Sequence, residues 1–209
     1  VQATFLAQNA ATKWGASVST QDAKAAKLGD YLRYAMAEKY FKAIPCASMS
    51  PSCPAGSGKS SLHYLISWYY AWGGDASSSH SWSWRIGDYA AHFGYQNPMA
   101  AWVLSTNANI KPMSPTATTD WGTSLNRMLD FYQWLQSAEG AIAGGAEFGQ
   151  VSASGSYTAA PAGTPSFNGM TYVANPVYLN PGSNTWYGFQ TWSMQRLAEY
   201  YYNTGNAQA

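Results

Sequence analysis

The residues most able to do chemistry lie in one stretch, HYLISWYYAWGGDASSSHSWSWRIGDYAAHFGYQNP, which holds Tyr64, Trp68, Tyr69, Tyr70, Trp72, Trp82, Trp84 and Tyr95. Indole and phenol rings combine a flat apolar face with a polar edge, so they suit wet grooves that hold sugars or other amphipathic ligands. Trp68, Tyr69, Tyr70 and Trp72 go nearly round a helix, which has only one buried stripe. Either that helix is internal or part of its surface faces a ligand. Trp82 and Trp84 sit in a Ser- and Gly-rich connection, where a packing role is less natural.

A second motif points elsewhere and fails. Gly58-Lys59-Ser60 is the second half of a phosphate-binding loop, which needs Gly, four residues and Gly-Lys-Ser/Thr after a buried strand. The first glycine would stand at position 53, which is Cys53, and FKAIPCASMSPS upstream contains no apolar strand. The run reads instead as a loop whose last serines cap the next helix. Cys46 and Cys53 are seven residues apart in that loop. A local disulfide, implying an oxidising compartment, and two free thiols both fit this spacing. Three histidines, none at ligand spacing from that pair, argue against zinc. His63 reads as a packed helix-flank residue and His80 as loop surface, while His92 suits a hydrogen bond to a sugar or to a loop carbonyl. No serine stands in a nucleophile-elbow context.

The elements that must position these side chains are helical. An opening segment, VQATFLAQNAATKWG, reads as the tail of a helix. Ser19 and Asp22 offer a capping box, and Leu28, Tyr31, Leu32, Ala35 and Met36 recur at helical spacing until Pro45. A second helix is predicted from Ser61 to Trp72, stopped by Gly73-Gly74. Asn97 before Pro98 is a helix start. Another helix begins near Thr118 to Asp120 and carries Trp121, Leu125, Met128, Tyr132 and Leu135. The span 144–183 is rich in Gly, Ser, Pro and Ala, with short β-like pieces such as MTYV; such long irregular stretches are usually functional. A last helix carries Phe189, Met194, Leu197 and Tyr201 and is closed by Gly205. There is no βαβ rhythm and no all-β spacing. The fold class is therefore all-α: helical hairpins with elaborate loops, in one domain over 1–209.

Composition narrows the partners. The net charge is +1 and charged residues are only 10% of the 209, so no basic face invites nucleic acid. No apolar stretch is long enough to span a bilayer, and the chain does not open on a signal peptide. Ten Trp and sixteen Tyr exceed what a core of this size needs.

ISWYYAWGG, WSWRIG, HFGYQNPMAAWVLS, FYQWLQSAEGAIAGGA and NTWYGFQTWSMQRLAEYYY resemble glycoside hydrolase family 48, the processive cellulases, from about Lys27 onward. The resemblance implies a segment of an (α/α)6 barrel of paired inner and outer helices. It implies inverting hydrolysis of the β-1,4-glucosidic bonds of cellulose, release of cellobiose and secretion, with no cofactor required and a structural calcium ion as a common addition. The partners it implies are cellulose or cello-oligosaccharides and the remainder of a catalytic domain about three times this long. Tyr64, Trp72, Gln96, Trp186 and either Trp82 or Trp84 would then contact the glucan; the choice between those two stays open because Ser77–His80 resembles an insertion. Inversion needs a protonated acid and a second carboxylate that activates water from the far side. In the family these precede ISWYYAWGG, so neither is expected in this segment. Its own candidates are Asp75, Asp88, Asp120, Asp130, Glu139 and Glu147. Glu139 is the most interesting of these; as an alternative it anchors loop amides. Asp75 is a candidate calcium ligand with loop carbonyls, or a surface turn residue. Two departures bear on sugar contacts: EFGQVSASGSY follows AIAGGA where a loop bearing Trp, Asn and Gly is usual, and Leu179 and Asn180 stand where His and Asp are common. Two other readings stay open: a glucan-binding module without catalysis, and a hydrolase acting on chitin or another β-glucan.

Overall fold

The computed structural model describes residues 1–33, 36, 64–66, 70–73, 84–87, 90–136, 145–147, 149–151, 157–159, 161–167, 170–173 and 187–209. Its framework is five helices: α1 Gln2–Trp14, α2 Ser19–Leu32, α3 Pro98–Thr106, α4 Ala117–Leu135 and α5 Tyr187–Thr204. They form the helical scaffold expected of an (α/α)6-barrel segment; a closed ring is not visible within the described residues.

The caps explain where several helices begin and end. Asn97 accepts a hydrogen bond from the Ala100 N–H at 2.9 Å, and Pro98 occupies the first turn of α3. α1 stops at Gly15, which takes the left-handed conformation at φ 70° and returns its N–H to Ala11. Gly205 closes α5 the same way, at φ 64°, with its N–H on Tyr201. α2 begins without the capping box suggested by Ser19 and Asp22. Its N-cap is Val18, with no side-chain cap, and the Asp22 carboxylate instead accepts from Gln8 Nε2 at 2.8 Å, tying α2 to α1.

α3 is the central helix, packing on α1, α4 and α5. Its Met99, Ala101, Val103 and Leu104 are buried, as are Trp121, Met128, Leu129, Phe131, Tyr132 and Leu135 of α4. Trp102 stands edge-on between Phe5 of α1 and Tyr200 of α5, with ring centroids 5.4 and 6.4 Å away. The C-terminal end of α2 is bolted to the entry of α4. Gly29, in the last turn of α2, accepts from the Trp121 indole N–H at 2.9 Å. Asp30 accepts from the backbone N–H groups of Met113 and Ser114, each at 2.9 Å. Arg33 donates to Asp120 at 2.9 Å and to Thr116 at 3.2 Å.

α2 buries a face that its large residues do not predict. Leu28, Tyr31 and Leu32 are 51%, 60% and 46% exposed, while Asp22, Ala25, Ala26 and Gly29 face inward. The reason is proximity: a Cβ added at Gly29 would lie 2.4 Å from Leu104 Cδ2 and 3.0 Å from Pro112 Cγ. Only small side chains permit that approach, so the bulky ones are left outside. Leu28 and Leu32 then line an open groove of about 520 Å³ with Leu6, Ala100, Gln195 and Glu199.

The described residues of the helix predicted from Ser61 to Trp72 are not helical. Tyr64 and Leu65 are irregular, Ile66 makes an isolated antiparallel bridge with Met36, and Tyr70–Gly73 is a strand, β1. A Tyr- and Trp-rich run followed by two glycines suits a pleated surface better than a helix, and the cross-strand partner settles the choice. That partner is β2, Trp84–Gly87, antiparallel to β1. A four-stranded antiparallel sheet follows, in the order β3 (Ala90–His92), β4 (Gly145–Glu147), β8 (Met170–Val173), β7 (Ser166–Phe167). β5 (Gly149–Val151) and β6 (Tyr157–Ala159) pair separately. The segment MTYV, β-like in the sequence, is β8. Against this sheet, α4 sets Phe131 and Trp134, which pack on Phe167 at 5.5 and 5.8 Å; Tyr172 meets Trp134 edge-on.

Candidate functional site

The site is organised around a 3-10 turn, Phe93–Tyr95, that links β3 to α3. His92 precedes it and is fully buried. Its Nδ1 accepts from the Gly94 N–H at 3.0 Å, and its ring stacks on Phe93 at 4.6 Å. An imidazole that accepts at Nδ1 is neutral, and burial pushes its pKa down to about 4. The turn's outward carbonyls are met from two helices. Arg196 of α5 donates to Gly94 O at 2.9 Å and Gln96 O at 3.2 Å. The Tyr132 hydroxyl of α4 lies 3.4 Å from both Phe93 O and Gln96 O. Burial pushes that phenol up, so it stays protonated at any ordinary pH.

Gln96 closes the turn and is fully buried. Its Oε1 accepts from the Ile66 N–H at 2.9 Å. Its Nε2 donates to Ile66 O at 2.8 Å and to His92 O at 3.1 Å. The amide thus acts as a one-residue strand partner for Ile66, and both its N–H donors are used by backbone. The Gln96 side chain is thus tied to the backbone of Ile66 and His92.

Tyr64 begins the segment so held. It is half-buried at φ 49°, in the left-handed region, and its carbonyl accepts from Ser124 Oγ at 2.7 Å. Four residues beyond Ile66 the chain enters β1. The β1–β2 register sets Trp72 opposite Arg85 and Trp84 opposite Gly73. Positions along a strand alternate between faces and directly opposed residues share one. Positions 72 and 84 therefore belong to opposite faces of the ribbon. Trp82, Trp186, Glu139, Asp75 and Asp88 lie outside the described residues, as do His63, His80, Cys46, Cys53, Gly58-Lys59-Ser60, Leu179 and Asn180.

Two of the candidate carboxylates, Asp120 and Asp130, are engaged with neighbouring side chains. Asp120 is buried against Arg33 and Thr116. Asp130 lies on α4 beside Arg127, at 3.7 Å, and accepts from Gln208. Glu147 sits in the middle of its sheet, in register with Ala90 and Thr171. Among the described residues no three His, Cys, Asp or Glu side chains gather as a metal site.

Two supports escaped the sequence reading. Ser124 carries a faint signal: it is a polar residue on the buried stripe between Trp121 and Met128, where helical period calls for an apolar one. Arg196 carries none, since a charged residue in a terminal helix reads as solvated surface.

The model of glycosyl hydrolase family 48 matches residues 1–209. The chain is 59% identical over 209 residues to Endoglucanase F of Ruminiclostridium cellulolyticum, covering all of this chain and 28% of that protein. It is 54% identical over 211 residues to Exoglucanase B of Cellulomonas fimi, again over all of this chain and 19% of the relative. Cellulose 1,4-beta-cellobiosidase (reducing end) CelS of Acetivibrio thermocellus is 50% identical over 203 residues, 94% of this chain and 26% of its own length. The chain thus spans about a fifth to a quarter of the relatives it matches. Those motifs, that identity and the match along the whole chain place it in glycosyl hydrolase family 48.

Proposed function

We propose that this chain is part of a secreted cellulose-degrading hydrolase that cleaves β-1,4-glucosidic bonds with inversion and releases cellobiose. Its share of the work is an aromatic bed for the glucan; the acid and base belong to the remainder of the catalytic domain. The observation that carries the reading is the 50–59% identity, over 94–100% of the chain, to relatives named as endoglucanase, exoglucanase and cellobiosidase. The engagement of Asp120 and Asp130 with neighbouring side chains agrees with chemistry placed elsewhere, because an inverting pair must leave room for water between two available carboxyl groups. Secretion follows from the substrate, an insoluble polymer that cannot enter a cell. A structural calcium ion near Asp75 belongs to the same proposal. Its test is a thermal melt, in which added Ca2+ should raise Tm and a chelator should reverse the rise.

The principal test has two arms. Purified chain should release no cellobiose from amorphous cellulose, and cello-oligosaccharides should change its Trp fluorescence in a saturable way. Cellobiose release lost on Glu139→Gln would place the acid inside this segment. Saturation by chito-oligosaccharides in preference to cello-oligosaccharides would move the substrate class.

A further inference from the structure

We propose that Ser124 and Gln96 are positioning residues for Tyr64, holding a strained backbone turn so that the ring is presented at one fixed place on the glucan bed. The inference rests on the reading of Tyr64 as a sugar-contacting residue.

Tyr64 is the one non-glycine among the described residues with positive φ. The left-handed region crowds the Cβ of any L-residue against its own carbonyl, and glycine enters it without that cost. If only the turn mattered, glycine would serve better. A tyrosine in this conformation brings a ring that glycine would lack, and strain of this kind persists only where the surroundings over-determine it.

The surroundings do so. The three residues Tyr64, Leu65 and Ile66 belong to no helix or named strand. Yet Ser124 of α4 holds the Tyr64 carbonyl at 2.7 Å. Leu65 is fully buried. Gln96 takes both the N–H and the C=O of Ile66, and Ile66 bridges Met36. Gln96 is itself fixed at its backbone carbonyl by Arg196. Side chains from a helix and a turn thus do for three residues what a continuous ladder does for a strand. The hydroxyl of Ser124 acts on the strained residue itself, and the amide of Gln96 acts two residues later. Both leave Tyr64 half-buried at the rim of the core, in the segment that precedes the strand carrying Trp72.

The test is a double-mutant cycle on cello-oligosaccharide affinity in the full chain, with folding followed by circular dichroism. Tyr64→Gly keeps the turn and removes the ring. It loses the packing of the ring against the core, so the chain should unfold somewhat more easily while keeping its circular dichroism at low denaturant, and it should bind about 3- to 10-fold more weakly, the scale of one aromatic contact. Tyr64→Phe should restore most of that loss. Ser124→Ala should weaken binding in the parent and add nothing in the Tyr64→Gly background, because it acts through the ring. Gln96→Met, which keeps the length of the side chain and loses its hydrogen bonds to Ile66 and to His92 O without burying a charge, should behave the same way and is a second route to the same readout. Full additivity of Ser124→Ala and Gln96→Met with Tyr64→Gly, or unchanged affinity in both single variants, would overturn the positioning role while leaving Tyr64 on the glucan. A Tyr64→Gly chain that binds as tightly as the parent would overturn the reading of Tyr64 itself.

Discussion

His92 is folded as a neutral ring, and this gives the protein an acid limit. The unfolded chain takes up a proton near pH 6.5, whereas the buried ring resists until about pH 4. Between those values the unfolded state binds more protons, so stability falls as pH drops from roughly 6.5 to 4 and levels off below. The full effect is about 3 kcal/mol. Urea melts at pH 7 and pH 5 should show the loss. His92→Asn places an oxygen where Nδ1 accepts from Gly94, so it should be less stable at pH 7 but with a flatter pH profile. Arg33 and Asp120 pose the opposite problem, a charged pair with both side chains nearly sealed. Removing Asp120 takes the nearer of two carboxylates from a buried guanidinium, since Asp30 also lies 3.9 Å from Arg33, so Asp120→Ala should cost up to about 3 kcal/mol in chemical denaturation. Replacing both with apolar residues of similar volume should cost much less.

Among the elements, α2 is the most instructive. Alanine is a better helix former than glycine by about 1 kcal/mol, so Gly29→Ala would stabilise an isolated helix. Here its methyl would meet Leu104 and Pro112, and overpacking costs about 1 to 3 kcal/mol. We expect net destabilisation, read as a lower urea midpoint at unchanged slope. This helix also shows what the sequence could and could not convey. Its helicity was legible, but its buried face was not, because small residues chosen for close approach carry little hydrophobic signal. The start of α3 was plain, since Asn97 and Pro98 act within a few residues of themselves. The stripe of α4 was plain too, being long and strongly periodic. β1 was misread as helix because its pairing with β2 is a contact across an intervening loop, which local spacing does not encode. Tyr64 was named by resemblance to its family, whereas the residues that hold it come from α4 and the Gln96 turn, each legible only once the chain is folded.

At the scale of the whole molecule, the groove between α1, α2, α3 and α5 leaves Leu6, Leu28 and Leu32 about half exposed. Exposed apolar surface that is not scattered singly tends to find a partner. The isolated chain should therefore self-associate with rising concentration in size-exclusion chromatography, and added salt should not dissolve the contact. Leu28→Lys with Leu32→Lys should shift the profile toward monomer without loss of helix signal. The turn that supports the candidate site has a different reach. Its carbonyls wait for Arg196, about a hundred residues further along, and α1 is tied through Gln2 to Glu199 of that same final helix. On the ribosome these partners emerge last among the described elements. A nascent chain released before α5 would thus leave both its first helix and its 3-10 turn without their fasteners, so a nonsense codon near Tyr187 should be felt at Tyr64.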